Sequence, residues 1–451
     1  MIVKHRDKEL LRFKWLEPEG IQIISVNDAE RKFLPLEFSD ANDERMLERR
    51  LEAWLKNRTA PIGRHFIRNL MESLGLDPQE PDFHRKALDF SKGLSLNDVY
   101  WVTADNFAGS WRDCNLYDNE FSKTMSEIAF SGSGEIGNEA ITTSPEMTTN
   151  GMLPKCWRRK NGKILLYKGS FATGDEPYAE YYAAQVAAAM GLLHVDYDLA
   201  MYKGRLCSTC PLFTSDKIGY IPASRLPNRK AMLNDERFVS MFLFDALVFN
   251  TDRHFGNFGY LIDNDRNEIC GVAPIFDNGY AMFEPHYGKH PALFDTWLGG
   301  LNGVEEIFNS QFSILNSLKG FRFGRHPHYN WSSEKLEQIE RFLQKRIDDI
   351  LRYGLDADKY LEISENDVGV KNKISNDNVG ANLQNLDPLD LQILWNMKAN
   401  RFITGKELAS VLGREERTIE RHIKLLREMN IVNRVGADKN GYWDVVVRES
   451  R

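Results

Sequence analysis

The sequence predicts an α+β protein of several domains, a two-lobed central body set between an N-terminal accessory segment and a C-terminal module of helices and a hairpin. Three observations carry this reading. A hairpin signal leads into an Ala-rich helix between 153 and 190, helix and strand alternate again from 233 to 277, and helical periodicity returns after a polar stretch near 362–388. A chain of 451 residues exceeds one compact core and divides into roughly two to four domains.

Composition excludes several classes. With 42% hydrophobic and 27% charged residues the chain is globular, neither disordered nor fibrous. A formal net charge of -7 gives no global attraction to nucleic acid or anionic membrane, so such binding needs a local basic patch. The first residues, Met1 to Glu9, lack the apolar core of a signal peptide. The longest apolar stretch, Phe238 to Phe249, is broken by Asp245 and falls short of a membrane span, so a cytoplasmic protein with no membrane partner is expected. Five cysteines, an odd number, point to reduced thiols. Cys207 and Cys210 form a lone Cys-x-x-Cys, and without two further ligands they read as ordinary thiols on a strand or loop.

In the N-terminal accessory domain, 1–130, the clearest element is a helical stretch from Asn42 to Leu74 with an apolar stripe at Met46, Leu47, Leu51 and Leu55. Pro61 divides it into two helices around a turn at Thr59-Ala60-Pro61. The central domain spans 131–360, its small lobe about 131–220 and its large lobe about 221–360. Its small lobe starts with strands around Leu153–Arg158 and Lys163–Lys168, joined by the turn pair Asn161-Gly162. A helix from Glu176 to Met190 follows, with Gly191 placed to end it. In the large lobe a helix from Leu233 to Phe249 precedes strands Phe258–Ile262 and Gly271–Phe276, and residues 280–360 read as helical, Glu334–Leu351 most clearly. Residues 361–387 are Asn/Asp-rich and form a linker.

Phosphoryl transfer needs a carboxylate to orient the attacking hydroxyl, oxygen ligands for magnesium, and a cation on the nucleotide phosphates. Candidates for all of these occur in order. Asp252 and Asn257 are five residues apart, the offset between base and metal-binding Asn in a kinase catalytic loop. Asp277 follows the last strand and precedes Asn278-Gly279, the place of a second metal-binding carboxylate, with Gly279 permitting a turn that other residues resist. Lys168 ends the hairpin, and Glu180 on the next helix is spaced to hold its ammonium in position.

Asn250-Thr251-Asp252-Arg253-His254-x-x-Asn257-Phe258, the later Ala273-Pro274-Ile275-Phe276-Asp277 and the upstream Lys168 together resemble the HipA-like kinases, the catalytic half of bacterial toxin-antitoxin and related regulatory systems. The Asp-Arg-His-x-x-Asn core is also similar to that of the phosphoinositide 3- and 4-kinases. The resemblance covers roughly residues 140–350 and implies a bilobed protein-kinase-like catalytic domain acting as an ATP- and Mg-dependent Ser/Thr protein kinase. It implies Asp252 as catalytic base, Asn257 and Asp277 as magnesium ligands, and Lys168 as the phosphate contact. No Gly-x-Gly-x-x-Gly stands before the hairpin, unlike the family's phosphate loop; Thr148-Thr149-Asn150-Gly151, which joins directly onto the first strand, is favoured by position over Gly132-Ser133-Gly134. The first 130 residues match no part of the family, so the surface for a protein substrate is not carried over. Arg253 and His254 are expected to brace the catalytic loop. His286, His290, His326 and His328 are expected to be exposed loop residues.

In the C-terminal domain, 388–451, segments 388–400, 404–412 and 415–430 read as helices, Thr404 and Glu407 forming an N-terminal capping pair. Val432–Val435 and Tyr442–Val447 then form a hairpin. This order resembles the winged-helix domains of bacterial regulators, with Arg414, Arg417, Arg421 and Lys424 as a phosphate-contacting face diluted by Glu415, Glu416 and Glu420. DNA or a partner regulator is the expected occupant. The alternative for the whole chain is a nucleotide-sensing transcriptional regulator with an inactive kinase-like domain.

Overall fold

The computed structural model describes residues 1–16, 20–64, 66–134, 144–170, 174–227, 238–250, 252–282, 314–315, 318–355, 389–390, 393, 397, 403–412, 414–429, 431–435 and 442–445. These form two compact units, Met1–Leu355 and Asp356–Arg451.

The first unit opens on an antiparallel sheet that helical periodicity did not reveal. Strands β1 (Ile2–His5), β2 (Lys8–Trp15) and β3 (Ile21–Val26) form a meander, and β4 (Tyr100–Thr103) returns to pair with β1, giving the order β3-β2-β1-β4. The period-two burial of Ile21, Gln22, Ile23 and Ile24 is the signal of a half-buried strand. Helix α1 (Glu44–Lys56) is capped by Asp43, whose carboxylate accepts from Met46 N at 2.7 Å. Its Leu47, Leu51, Trp54 and Leu55 close a core with Val3, Leu10, Phe13 and Phe33. The chain then breaks near Pro61 as expected, and α2 (Ile67–Ser73), α3 (Phe83–Ser91), α4 (Trp111–Cys114) and α5 (Lys123–Ser131) follow.

β5 (Lys155–Lys160) and β6 (Lys163–Lys168) form the expected hairpin, and Asn161 and Gly162 at its tip both take positive φ, 52° and 73°. Helix α6 (Glu176–Ala189) ends before Gly191, which takes φ 68°. β7 (Asp198–Tyr202) and β8 (Arg205–Pro211) complete a sheet of order β5-β6-β8-β7. β9 (Ile218–Pro222), β10 (Gly259–Asp263) and β11 (Glu268–Val272) make a second sheet, order β11-β10-β9. Helix α7 (Val239–Val248) is buried on nearly every side, and α8 (Ser333–Leu355) sets Leu336, Ile339 and Leu343 into the core that α7 shares with Tyr182 and Val186 of α6. The last strand stops at Val272, not at Phe276. Pro274 has no N–H for a ladder, and Ile275 directly after it makes an isolated parallel bridge with His194.

In the second unit, α9 (Gly405–Leu412) and α10 (Glu416–Glu428) precede the antiparallel pair β12 (Val432–Val435) and β13 (Tyr442–Val445). Thr404 and Glu407 form a capping box, with the Glu407 carboxylate accepting from Thr404 N at 2.8 Å and Glu407 N donating to Thr404 Oγ1 at 3.2 Å. Ile419, Ile423 and Leu426 are buried with Ile393, Met397 and Leu408, while Arg414, Arg417, Arg421 and Lys424 are exposed. The expected linker 361–387 lies outside the described residues.

Candidate active site

Helix α7 ends because Phe249 turns left-handed at φ 56°, and the chain after it is tied down by one buried side chain. Arg253 grips Asp245 of α7 in a forked pair at 2.9 and 3.0 Å, donates to Asn257 O at 2.8 Å and to Phe276 O, and reaches Asn278 Oδ1 at 2.6 Å. The guanidinium thereby fixes the 252–257 loop to both α7 and the 276–278 segment, the bracing role expected of it. Asn250 adds to the frame, its Oδ1 accepting from Asp252 N at 3.1 Å and its Nδ2 donating to Asn278 Oδ1 at 3.3 Å. His254 is exposed and acts locally, its Nδ1 accepting from Gly256 N at 2.9 Å. Asn257 Nδ2 donates to Asp252 O at 3.0 Å, which commits the amide nitrogen to closing the loop. Burial, reinforced by the nearby Asp277 charge, pushes the Asp252 carboxyl above the usual aspartate range, against the pull of His254 and Lys168.

Lys168 at the end of β6 donates to Glu180 Oε1 of α6 at 2.6 Å and to Asp277 Oδ1. Glu180 is fully buried, and its other oxygen accepts from Asn278 N at 2.7 Å. Burial alone would neutralise this lysine, yet the two carboxylates outweigh it and hold the ammonium charged well above its ordinary range. Burial likewise opposes ionisation of Asp277, but Lys168, Lys155 and Arg253 together keep it well below the usual carboxylate range. The turn after Phe276 is made differently from expectation. Asp277 itself occupies the left-handed region at φ 59°, with its N–H donating to Tyr197 Oη at 3.2 Å, whereas Gly279 takes no positive φ.

The Thr148–Gly151 loop is clasped from the N-terminal segment. Buried Arg64 donates to Glu146 O and Thr149 O, each at 2.8 Å, Ala60 N donates to Met147 O at 2.7 Å, and Thr148 Oγ1 donates to Leu94 O at 2.6 Å. Gly151 takes φ 94°, and Lys155 Nζ donates to Asn150 O at 2.9 Å. The competing Gly132-Ser133-Gly134 segment closes α5, with Gly132 as its left-handed cap.

Thr148, Thr149, Asn150, Gly151, Lys168, Asp252, Asn257 and Asp277 all line one cleft of about 820 Å³, with Glu180 directly behind Lys168. Leu166, Leu212, Phe213 and Phe276 give the cleft an apolar wall. The sequence reading missed Lys155, Arg64 and Tyr197. Only Lys155 left a usable signal. A two-residue turn at Asn161-Gly162 sets the hairpin register, and that register places Lys155 directly across from Lys168 on the same face.

Cys207 and Cys210 are free, buried thiols in β8, as ordinary residues would be. His326 corrects the expectation of exposure. It is buried, with Nε2 3.0 Å from Asp198 Oδ1, whereas His328 is exposed. His286 and His290 lie outside the described residues.

Comparisons with known proteins bear on the fold. A chain of the Shewanella oneidensis toxin-antitoxin complex of HipA, HipB and operator DNA superposes with a TM-score of 0.52 at 11% identity, over 79% of this chain and 98% of that one. The chain has the fold of the HipA-like kinases. The serine/threonine-protein kinase CtkA of Helicobacter pylori is 27% identical over 132 residues, 24% of this chain, and the match spans 40% of that relative's length. The crystal structure of CtkA aligns at 18% identity with a TM-score of 0.33, over 45% of this chain and 95% of that one. A family model described as an HTH domain matches residues 390–442, the segment read as a winged helix. This is therefore a kinase-like protein with a C-terminal helix-turn-helix domain. Among the described residues, no helix is long and apolar enough to cross a membrane.

Proposed function

We propose that this HipA-like chain is an ATP- and magnesium-dependent Ser/Thr protein kinase. The observation that carries the reading is the chain of ion pairs from buried Glu180 through buried Lys168 to half-buried Asp277, standing beside Asp252 and Asn257 at a single cleft. Lys168, held by Glu180, would grip the nucleotide phosphates, and the Thr148–Gly151 loop would cover them. The apolar wall of Leu166, Leu212, Phe213 and Phe276 suits a nucleotide base.

Asn257 and Asp277 offer hard oxygen donors of the kind magnesium takes. Among the described residues no group of three or more His, Cys, Asp or Glu side chains is placed to hold a metal by itself, so a cation held by Asn257 and Asp277 would need further oxygens from phosphate and water. Magnesium, when bound, would neutralise charge developing on the transferred phosphoryl group. Asp252 would accept the proton of a serine or threonine hydroxyl as that oxygen bonds to the γ-phosphorus. The bond from the γ-phosphorus to the bridging oxygen breaks, and ADP leaves. The raised carboxyl of Asp252 suits a base that must take up a proton during the reaction.

The test is Mg-ATP incubation with a lysate, following labelled phosphate into protein. Asp252→Asn is expected to lower transfer about 10²- to 10⁴-fold while ATP affinity survives. Nucleotide binding without any transfer by the wild type would instead favour the second reading, a nucleotide-sensing regulator. That reading draws support from the helix-turn-helix match and from the exposed Arg414, Arg417, Arg421 and Lys424. The C-terminal module would then engage duplex DNA or a regulator protein, and salt-sensitive duplex binding lost on neutralising those four residues would identify DNA.

A further inference from the structure

Glu37 and Asn57 of the N-terminal segment, with Ser224 and Arg225 after β9, line the same cleft as Asp252. Both walls are fixed in place. Ser224 N donates to Phe255 O at 2.7 Å and Tyr220 Oη to Gly256 O at 3.2 Å, which lays the chain around Arg225 along the 252–257 loop. Asn267 Nδ2 donates to Lys32 O and Leu34 O, each at 2.8 Å, and on either side of Glu37 the neighbouring Leu36 packs against the central core and Phe38 into the N-terminal one.

Glu37 itself is poorly served. Its side chain is 14% exposed, yet among the described residues its carboxylate accepts no hydrogen bond, and its ion pair with Arg225 Nη1 is loose at 3.6 Å. A carboxylate offers about four lone-pair sites, and leaving them unmet away from water is costly. The neighbouring cations do not meet them. Arg58 donates to Asp98 at 2.6 Å and Arg50 to Asp40 at 2.9 Å. Burial, opposed by the charges of Arg225 and Arg58, raises the Glu37 carboxyl above the usual glutamate range.

We propose that Glu37 is a specificity-determining residue of the acceptor site, receiving the ammonium or guanidinium of a Lys or Arg that flanks the phosphorylated Ser or Thr, so that the protein substrate presents a basic segment. The inference rests on the kinase reading of the cleft. One carboxylate oxygen can keep Arg225 while the other takes the incoming cation. An acceptor with a flanking Asp or Glu would instead meet Glu37 as a like charge.

Transfer from Mg-ATP to a positional peptide library tests this on the full chain, with Ser or Thr fixed and Lys, Arg, Gln or Glu placed at each flanking position in turn. Wild type is expected to favour Lys or Arg over Gln at one position by about 10- to 100-fold in kcat/KM, the worth of one charge-assisted hydrogen bond. Glu37→Gln, nearly isosteric, should lose that preference while ATP affinity and transfer to the Gln peptide stay as in wild type. Arg225→Gln removes the competing cation and keeps the carboxylate, so the preference should persist or grow. A wild type that transfers phosphate without charge preference overturns the inference and leaves the kinase reading standing. So does a preference that survives Glu37→Gln, or an equal loss with all peptides in both variants, the mark of a merely structural pair. A wild type that binds ATP and phosphorylates no protein or peptide defeats the kinase reading and this inference with it.

Discussion

Replacing Glu180 with glutamine removes one negative charge from the centre of the site while keeping its size. Both carboxylate oxygens are committed, one to Lys168 at 2.6 Å and the other to Asn278 N at 2.7 Å. An amide keeps a single acceptor, so its NH2 group must face either the ammonium or the backbone N–H. An orphaned buried donor costs about 1–3 kcal/mol, and the lost charge-assisted bond about 1.5–3 kcal/mol. Together these fall near the roughly 3–5 kcal/mol seen on breaking a buried ion pair. Asp277 still holds Lys168, which places the expected loss toward the lower end of that range. A domain stable by about 5–15 kcal/mol stays folded after such a loss. The assay pairs urea unfolding with ATP turnover. The midpoint should fall at unchanged slope, and turnover should drop because Lys168 is no longer drawn toward α6. Wild-type unfolding free energy together with wild-type turnover would refute the claim that Glu180 positions Lys168.

Arg64→Met releases the carbonyls of Glu146 and Thr149 from the buried guanidinium, so KM for ATP is expected to rise severalfold while kcat of the saturated enzyme changes less. An unaltered KM would show that the loop keeps its place without the N-terminal segment. Lys155 also makes a pH prediction with a definite sign. Its folded pKa of about 7 lies below the ordinary 10.5, so across that window the unfolded chain binds more protons and stability rises with pH. Lys155→Met lacks this dependence. Its advantage over wild type, of the order of a few kcal/mol near pH 7, should therefore shrink as pH rises toward 10. Urea unfolding of both proteins between pH 7 and 10 measures it, and a gap that stays constant counts against the burial of Lys155.

Local chemistry made part of this protein readable from residues alone. Asn161-Gly162 can only be a tight turn, Gly191 ends its helix through positive φ, and Thr404 with Glu407 forms a capping box, because each depends on near neighbours in the chain. The spacing of Asp252 and Asn257 was legible for the same reason, a short loop carrying its own geometry; Lys168, Glu180 and Asp277 were legible as an order of residue types, while the contact of Lys168 with Asp277 spans 109 residues. The N-terminal sheet was not legible, since β4 reaches β1 across some ninety-five residues and no local pattern records that pairing. Nor was the left-handed turn legible as Asp277's own, because it is imposed by Tyr197, Asn250 and the buried Arg253 network instead of by a glycine. The hairpin register sets Lys155 across from Lys168, but only tertiary structure buried it and brought Arg64 to the Thr148–Gly151 loop, for burial and long-range hydrogen bonds are decided by what the rest of the chain packs around a residue.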